Sequence, residues 1–255
     1  MIIAENLVKQ YYQSKGGNVF TAIDGINLKI EKGESVGIVG ATGCGKSTFL
    51  RIVLGVEKPT GGCLTVNGKE PYKNYYDFRG FMTAVFQEDR LLPWRTAVEN
   101  VILGLEILGR KKREAIEESR QWFERLGLLG FENAYPGELS GGMRQRVAIA
   151  RALILNPDII LLDEAFGHLD EVTSRKLRAD FFSLLQGSGK TVVMVTHNLD
   201  EALESVDRIV VFGKPAKVLG DFKVGDYDVQ RLKAMIQLLI EHNLPLEEAQ
   251  ARFKP

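Results

Sequence analysis

The stretch from 35 to 54, SVGIVGATGCGKSTFLRIVL, leaves little freedom for the architecture around it. Val36 to Val39 form an apolar run of the kind that makes a buried strand. A loop with glycines at Gly40, Gly43 and Gly45 follows, and Lys46, Ser47 and Thr48 open a helical segment. Glycines allow the backbone to fold back so that successive N–H groups, those of Ala41, Thr42 and Cys44 included, point into one concavity. The positive end of the following helix adds its partial charge there. In such a loop the Lys46 ammonium reaches β- and γ-phosphate oxygens, and the Ser47 hydroxyl can ligate Mg²⁺. A glycine-rich turn before a helix can arise by chance, but the fixed Gly-x-x-x-x-Gly-Lys-Ser spacing with a strand before and a helix after argues against that.

At 255 residues and 45% hydrophobic, the chain has enough apolar content for one α/β domain with a helical annex. Its formal net charge is zero, so no electrostatic nucleic-acid binder is indicated. The two cysteines, Cys44 and Cys63, have neither Cys-x-x-Cys spacing nor the number of a disulfide framework, which suits a reducing compartment. Residues 1–10 lack the basic and apolar regions of a signal peptide. No run approaches the roughly 20 apolar residues that a membrane helix needs. A role at a membrane would therefore run through a partner.

Along the chain, β-type runs at 2–9 and 19–30 flank a polar turn, YYQSKGGN, in which Tyr11 or Tyr12 could stack on a purine. After the first helix, CLTVNGKE alternates apolar and polar residues and carries the hairpin signal Asn67-Gly68. A buried strand, TAVFQ, ends at Gln87. The next loop, EDRLLPWR, is expected to expose Leu91, Leu92 and Trp94, either as packing for the next helix or as a docking surface. Helical patterns follow at 96–108 and 111–126, the second with Ile116, Trp122, Phe123 and Leu126 as its apolar face. Ser140 is a plausible N-cap for the helix that begins Gly141-Gly142-Met143. Capping needs no paired glycines, but glycines there bring bare N–H groups close to an anion.

The apolar run at 159–162 ends in Asp163-Glu164, two carboxylates whose burial without a cation would be costly. A helix at 171–185, a strand TVVMVT ending at His197, a short helix at 199–204 and a strand at 208–212 complete an alternating β/α pattern. Apolar residues at helical spacing mark one more helix between 226 and 242. Strands alternating with helices indicate a wound parallel sheet whose functional loops lie at the strands' carboxyl ends. Lys46, Gln87, Asp163, Glu164 and His197 all fall just past such ends. Taken singly, Glu164 could be an N-cap acid, Gln87 a strand-end polar residue and His197 a helix cap; together they favour one site.

These motifs resemble those of the ATP-binding-cassette (ABC) ATPases over nearly the whole chain. GATGCGKST looks like the Walker A loop, LSGGMRQRVAIARAL like the family signature and IILLDEAFGHLD like Walker B with its D-loop. Gln87 matches the Q-loop glutamine and His197 the switch histidine. The segment VFQEDRLLPWRTAVENV and the short tail resemble importer subunits for nitrate, sulfonate, taurine and related small solutes. The resemblance implies a phosphate-loop fold: a catalytic core at about 1–88 and 157–225 with an antiparallel β subdomain, a helical signature subdomain at about 89–156, and a helical tail at 226–255.

It also implies a head-to-tail dimer, with each ATP between Walker A of one copy and Ser140, Gly141 and Gly142 of the other. Tyr11, with Tyr12 close behind, would stack on adenine, while the loop 40–48 would hold the phosphates. Ser47, Gln87 and Asp163 would organise Mg²⁺, Glu164 would deprotonate the attacking water, His197 would hold the γ-phosphate and Asp170 would link subunits. The implied partner is a membrane permease docking at 87–95 on the cytoplasmic face of the inner membrane, with a solute-binding protein reached only through it. Two departures stand out: Ala165 in place of the usual proline after the glutamate, and His168 where small residues are common. A nucleic-acid or ribosome cassette would carry a coiled-coil insertion or a second cassette, an exporter would be fused to membrane helices, and a small-molecule kinase would leave LSGGM unexplained.

Overall fold

The computed structural model describes residues 1–12, 19–167 and 169–252. Most of the first polar turn and His168 thus lie outside the described residues. In chain order the strands and helices begin with β1 (Ile2–Tyr12), β2 (Val19–Ile30), β3 (Ser35–Gly40), α1 (Lys46–Val53), β4 (Gly61–Val66) and β5 (Met82–Phe86). Then come α2 (Ala97–Val101), α3 (Leu103–Ile107), α4 (Lys112–Arg125), α5 (Gly141–Leu153), β6 (Ile159–Asp163) and α6 (Glu171–Leu185). The chain continues with β7 (Thr191–Thr196), α7 (Leu199–Leu203), β8 (Arg208–Phe212), β9 (Val218–Lys223), α8 (Val229–His242) and α9 (Leu246–Arg252). These elements divide into two compact units, 1–77 with 191–255, and 78–190.

In the first unit β3 lies between β7 and β8 as a parallel set, Val36 opposite Val193 on one side and Arg208 on the other. Strands buried on both faces must be apolar throughout. Val36, Ile38, Val193, Val195, Val210 and Phe212 accordingly have no exposed surface. The antiparallel edge strand β9 was not foreseen, because Gly220 and Asp221 interrupt its apolar pattern; pairing with β8 from Arg208–Lys223 to Phe212–Val218 makes it a strand. A separate antiparallel sheet, in the order β2-β1-β4, carries the chain's beginning. It extends β1 to Tyr12, so Tyr11 and Tyr12 pair with Phe20 and Val19 on a strand and do not lie in the turn, as the polar run had suggested. Asn67 and Gly68 both have positive φ, 49° and 79°, as a tight turn of this type requires. After it only Lys69 bridges back, to Val66. α9 lies beyond the helix marked at 226–242, within the tail at 226–255.

In the second unit β5 and β6 pair in parallel, from Met82–Ile159 to Phe86–Asp163. The helix expected at 96–108 is two, α2 and α3, separated at Ile102, where ψ of −5° flattens the turn. The hydrogen-bond ladder nevertheless runs on through it, from Ile102 N to Val98 O and from Glu106 N to Ile102 O, each 3.0 Å. Thr96 starts α2 with a complete capping box, its hydroxyl accepting from Glu99 N while the Glu99 carboxylate accepts from Thr96 N.

Candidate active site

The phosphate loop is built by backbone closeness. A side chain at Gly40 would put its Cβ 2.4 Å from Phe212 O, and one at Gly45, where φ is +119°, would meet Ala22 O at 2.3 Å. Only glycine fits at either position, so the loop can close over β8 and β2. Gly43, at φ +72°, makes the outer bend. Ala41, Thr42 and Gly43 form an exposed tip, while Cys44 is buried beneath it. Lys46 is only 5% exposed; its ammonium donates to Gly40 O at 2.7 Å and Ala41 O at 3.1 Å, so a cation sits at the centre of the concavity. Gly45 caps α1 and has no side chain to bond its first turn, where the N–H groups of Ser47 and Thr48 lie at the helix's positive end. Backbone donors, a buried ammonium and a helix's positive end together form a receptor for phosphate groups.

Tyr11 is half-buried, stacked on Phe20 with centroids 6.4 Å apart and with Lys9 Nζ 4.8 Å from its ring centre. Tyr12 is the open ring, 73% exposed. His197 follows β7 directly and is exposed. It is not the helix cap that the sequence left open: Asn198 caps α7 through Oδ1, accepting from Glu201 N at 3.2 Å. Thr196 Oγ1 donates to Glu201 at 2.6 Å and accepts from Asn198 N, which ties that corner together.

In the second unit Gln87, Asp163 and Glu164 all lie at the carboxyl ends of β5 and β6. Glu164 adopts φ +51°, a left-handed conformation that non-glycine residues rarely take. Its turn is closed by Gly167 N donating to Glu164 O at 3.0 Å and by Ser174 Oγ donating to Phe166 O at 2.8 Å. A Cβ at Gly167 would lie 3.8 Å from Gln87 Nε2, so the Q-loop amide and this turn are neighbours. Amide oxygen and carboxylate are among the hard donors that Mg²⁺ prefers, and in this unit Gln87 and Asp163 supply one of each. Among the described residues no cluster of three His, Cys, Asp or Glu side chains forms a closed metal cage. Such a set suits a cation that keeps waters or phosphate oxygens in its shell.

Ser140 caps α5, its hydroxyl accepting from Met143 N at 3.3 Å. Gly141 and Gly142 are the first two residues of α5. The chain's own packing does not require them: added Cβ atoms would make ordinary contacts of 3.8 Å to Leu169 and 3.4 Å to Thr173. Asp170 caps α6 by accepting from Thr173 N at 3.0 Å, and that hydrogen bond holds its carboxyl below the usual carboxylate range.

The loop after Gln87 departs from expectation. Leu91 is buried at 8% exposure and Leu92 is half-buried; of the three apolar residues only Trp94, 71% exposed, faces solvent. Asp89 folds the loop inward by accepting from Leu91 N, and fully buried Asn100 accepts from Leu92 N while donating to the carbonyls of Leu92, Arg95 and Thr96. Arg144 bonds the Asp89 carboxylate, and Arg151 donates to the carbonyls of Asp89 and Arg90. Burial lowers the pKa of that Arg151 guanidinium. Gln145, 4% exposed, donates from one nitrogen to Phe86 O at 3.2 Å and to Ala165 O. Sequence reasoning passed over Asn100, Arg151 and Gln145. Gln145 did leave a signal, as an uncharged polar residue beside the apolar stripe of α5.

A glycine-built phosphate loop opening a helix, with a carboxylate pair ending a buried parallel strand, defines a phosphate-loop nucleotide-hydrolysing core. A protein-family model described as "ABC transporter" matches residues 23–167. The chain is 42% identical over 236 residues to an uncharacterized ABC transporter ATP-binding protein of Methanocaldococcus jannaschii, covering 92% of this chain and 86% of that one. It is 39% identical over 222 residues to an aliphatic sulfonates import ATP-binding protein of Bacillus cereus, covering 86% and 84%. Among solved structures, the dimeric post-hydrolysis state of an ATP-binding cassette bound to ADP and Pi superposes with a TM-score of 0.78. That match has 35% identity and covers 88% of this chain and 99% of the other. The chain belongs to the ABC transporter family. It is an ATPase, the ATP-binding subunit of a transporter, and none of its described helices is long and apolar enough to cross a membrane.

Proposed function

We propose that the chain powers an importer for a small solute of the nitrate, sulfonate or taurine kind, working as a pair of copies on the cytoplasmic face of the inner membrane. A separate permease docks at residues 87–95, a solute-binding protein is reached only through that permease, and nucleic acid takes no part. The observation that carries the paired arrangement is the pair Gly141 and Gly142, which the chain's own packing does not require. Glycines at a helix start that the chain's own packing does not require suit the close approach of an anion from outside the chain, here the triphosphate held by the other copy. Small-solute import is supported by the sulfonate-import relative at 39% identity.

In this reading Tyr11, with Tyr12 beside it, offers an aromatic face to adenine, and Lys46 with the amides of residues 40–48 holds the β- and γ-phosphates. Ser47, Gln87 and Asp163 would hold Mg²⁺, which would supply positive charge against that developing on the phosphates. Glu164 takes a proton from the attacking water, whose oxygen bonds to the γ-phosphorus as the bond to the bridging oxygen breaks, leaving ADP and phosphate. His197 steadies the γ-phosphate and Asp170 contacts the other copy. The helical segment 89–156 presents the signature to that copy, and Trp94 is the exposed anchor for the permease. As the γ-phosphate leaves, the attraction between its charge and the Ser140–Gly142 helix start weakens, so hydrolysis releases the pair.

The test is Glu164→Gln with MgATP on a sizing column. We expect slow hydrolysis and a dimer that Gly141→Glu abolishes while ATP binding survives; a monomer under saturating nucleotide would overturn the paired reading. Trp94→Asp should leave ATPase activity of the isolated subunit intact and prevent co-purification with the permease; undiminished co-purification removes the docking assignment.

A further inference from the structure

The geometry points to Gln145 as a positioning residue for hydrolysis, one that acts through the backbone at both Gln87 and Glu164. The inference rests on the reading of Glu164 as the base. Gln145 lies on α5 among fully buried neighbours, Val147 and Ile149, yet has no charge and no exposed face to justify a polar group. Its two amide protons are both used. One goes to Phe86 O, the carbonyl directly before Gln87, and the other to Ala165 O, the carbonyl of the residue that follows Glu164. One side chain thus links two loops that are far apart in sequence.

The second observation is the backbone of Glu164. A left-handed glutamate persists only when its surroundings over-determine it. Inside the turn, Gly167 N and Ser174 Oγ hold the carbonyls of Glu164 and Phe166. Neither bond holds the Ala165–Phe166 peptide plane; its carbonyl, that of Ala165, is held by Gln145. The same residue fixes the peptide leading into Gln87. Ala165, where a proline would restrict φ, leaves this plane dependent on the amide. Because α5 is the helix whose first turn is Ser140–Gly142, Gln145 also sets the register between that turn and the two loops. Rate is sensitive to such placement: a displacement of about 1 Å at a reacting group costs on the order of 100-fold.

The test measures steady-state ATP hydrolysis of the full chain carrying Gln145→Met, which keeps the shape and loses both donors, and Gln145→Glu. For Gln145→Met we expect kcat to fall about 10- to 100-fold with KM for ATP within about threefold, since the phosphate loop is untouched. For Gln145→Glu, a carboxylate facing two carbonyl oxygens is raised in pKa, and its protonated form regains one donor. Its kcat relative to wild type should therefore climb as pH falls from about 8 to about 6, whereas the Gln145→Met ratio stays flat. A kcat for Gln145→Met within about twofold of wild type would overturn the inference. So would a pH-independent Gln145→Glu ratio, or a rise in KM matching the fall in kcat together with a lower melting temperature, the mark of a purely structural role. If Gln145→Met does not fold, the pH ratio of Gln145→Glu decides alone. Glu164→Gln is assayed alongside: wild-type turnover there defeats the reading of the base, while an inactive Glu164→Gln with an active Gln145→Met defeats only the positioning role.

Discussion

The phosphate loop of the first unit and the turn at Glu164 in the second both hold the backbone in unusual conformations, and they do so by opposite means. At Gly45 the left-handed φ of +119° belongs to a residue without a Cβ, and the loop closes because main chain touches main chain at Ala22 and Phe212. At Glu164 the φ of +51° belongs to a residue that resists it, and side chains from elsewhere, Gln145 and Ser174, hold the turn. A loop made of glycine is tolerant of its surroundings but intolerant of substitution. A loop made of braces is strained, and its shape can be altered by whatever moves the braces. That difference suits a phosphate receptor in the first unit and, in the function proposed above, a base in the second whose alignment depends on its neighbours.

The largest effect should come from putting a methyl group where the first region has no room. Gly45→Ala is expected to cost about 2–4 kcal/mol in urea unfolding and to abolish ATP binding, while Gly43→Ala, with only Lys214 Nζ near, costs about 1 kcal/mol. Equal costs at the two positions would erase the distinction between close approach and mere bend. In the second region, Asn100→Ala removes four hydrogen bonds from a fully buried side chain and should cost about 2–3 kcal/mol, releasing Leu91 and Leu92 to solvent. A loop unchanged in hydrogen exchange would show that it is not braced.

A third substitution reverses the sign. Glu164→Asn places a residue tolerant of left-handed φ at the strained position, so stability should hold or rise by about 0.5 kcal/mol while hydrolysis is lost. A clear drop in the unfolding midpoint would mean that Glu164 is not strained. The smallest effect concerns Asp170. Its carboxyl is depressed by the bond from Thr173 N, so the cap's contribution is present above the unfolded carboxylate range, near 3.9, and lost as pH falls through the folded value. The melting difference between wild type and Asp170→Ala should therefore narrow as pH drops from about 6 towards about 3. A constant difference would leave the cap's charge without effect.

The same contrast explains what could be read before the fold was known. The strands at 19–30, 191–196 and 208–212 and the helix at 171–185 were legible to the residue, because apolar period and end signals are local. β9 was not, since its partner β8 makes it a strand, and neither was the burial of Leu91, which Asn100 and Asp89 bring about. The run YYQSKGGN looked like a turn from its first tyrosine; pairing with Phe20 and Val19 carried the strand two residues further.

By itself the sequence determined the phosphate loop, the alternation of strands and helices, and the residue types at the strand ends, because each depends on neighbours within about ten positions. Only the tertiary structure decided that Asn198 and not His197 caps α7, that Trp94 alone of its apolar trio is open, and that Gln145 joins Phe86, 59 positions away, to Ala165, 20 positions away. A buried amide takes its partners from whatever the fold brings within hydrogen-bond reach, and no local pattern of residues specifies that meeting.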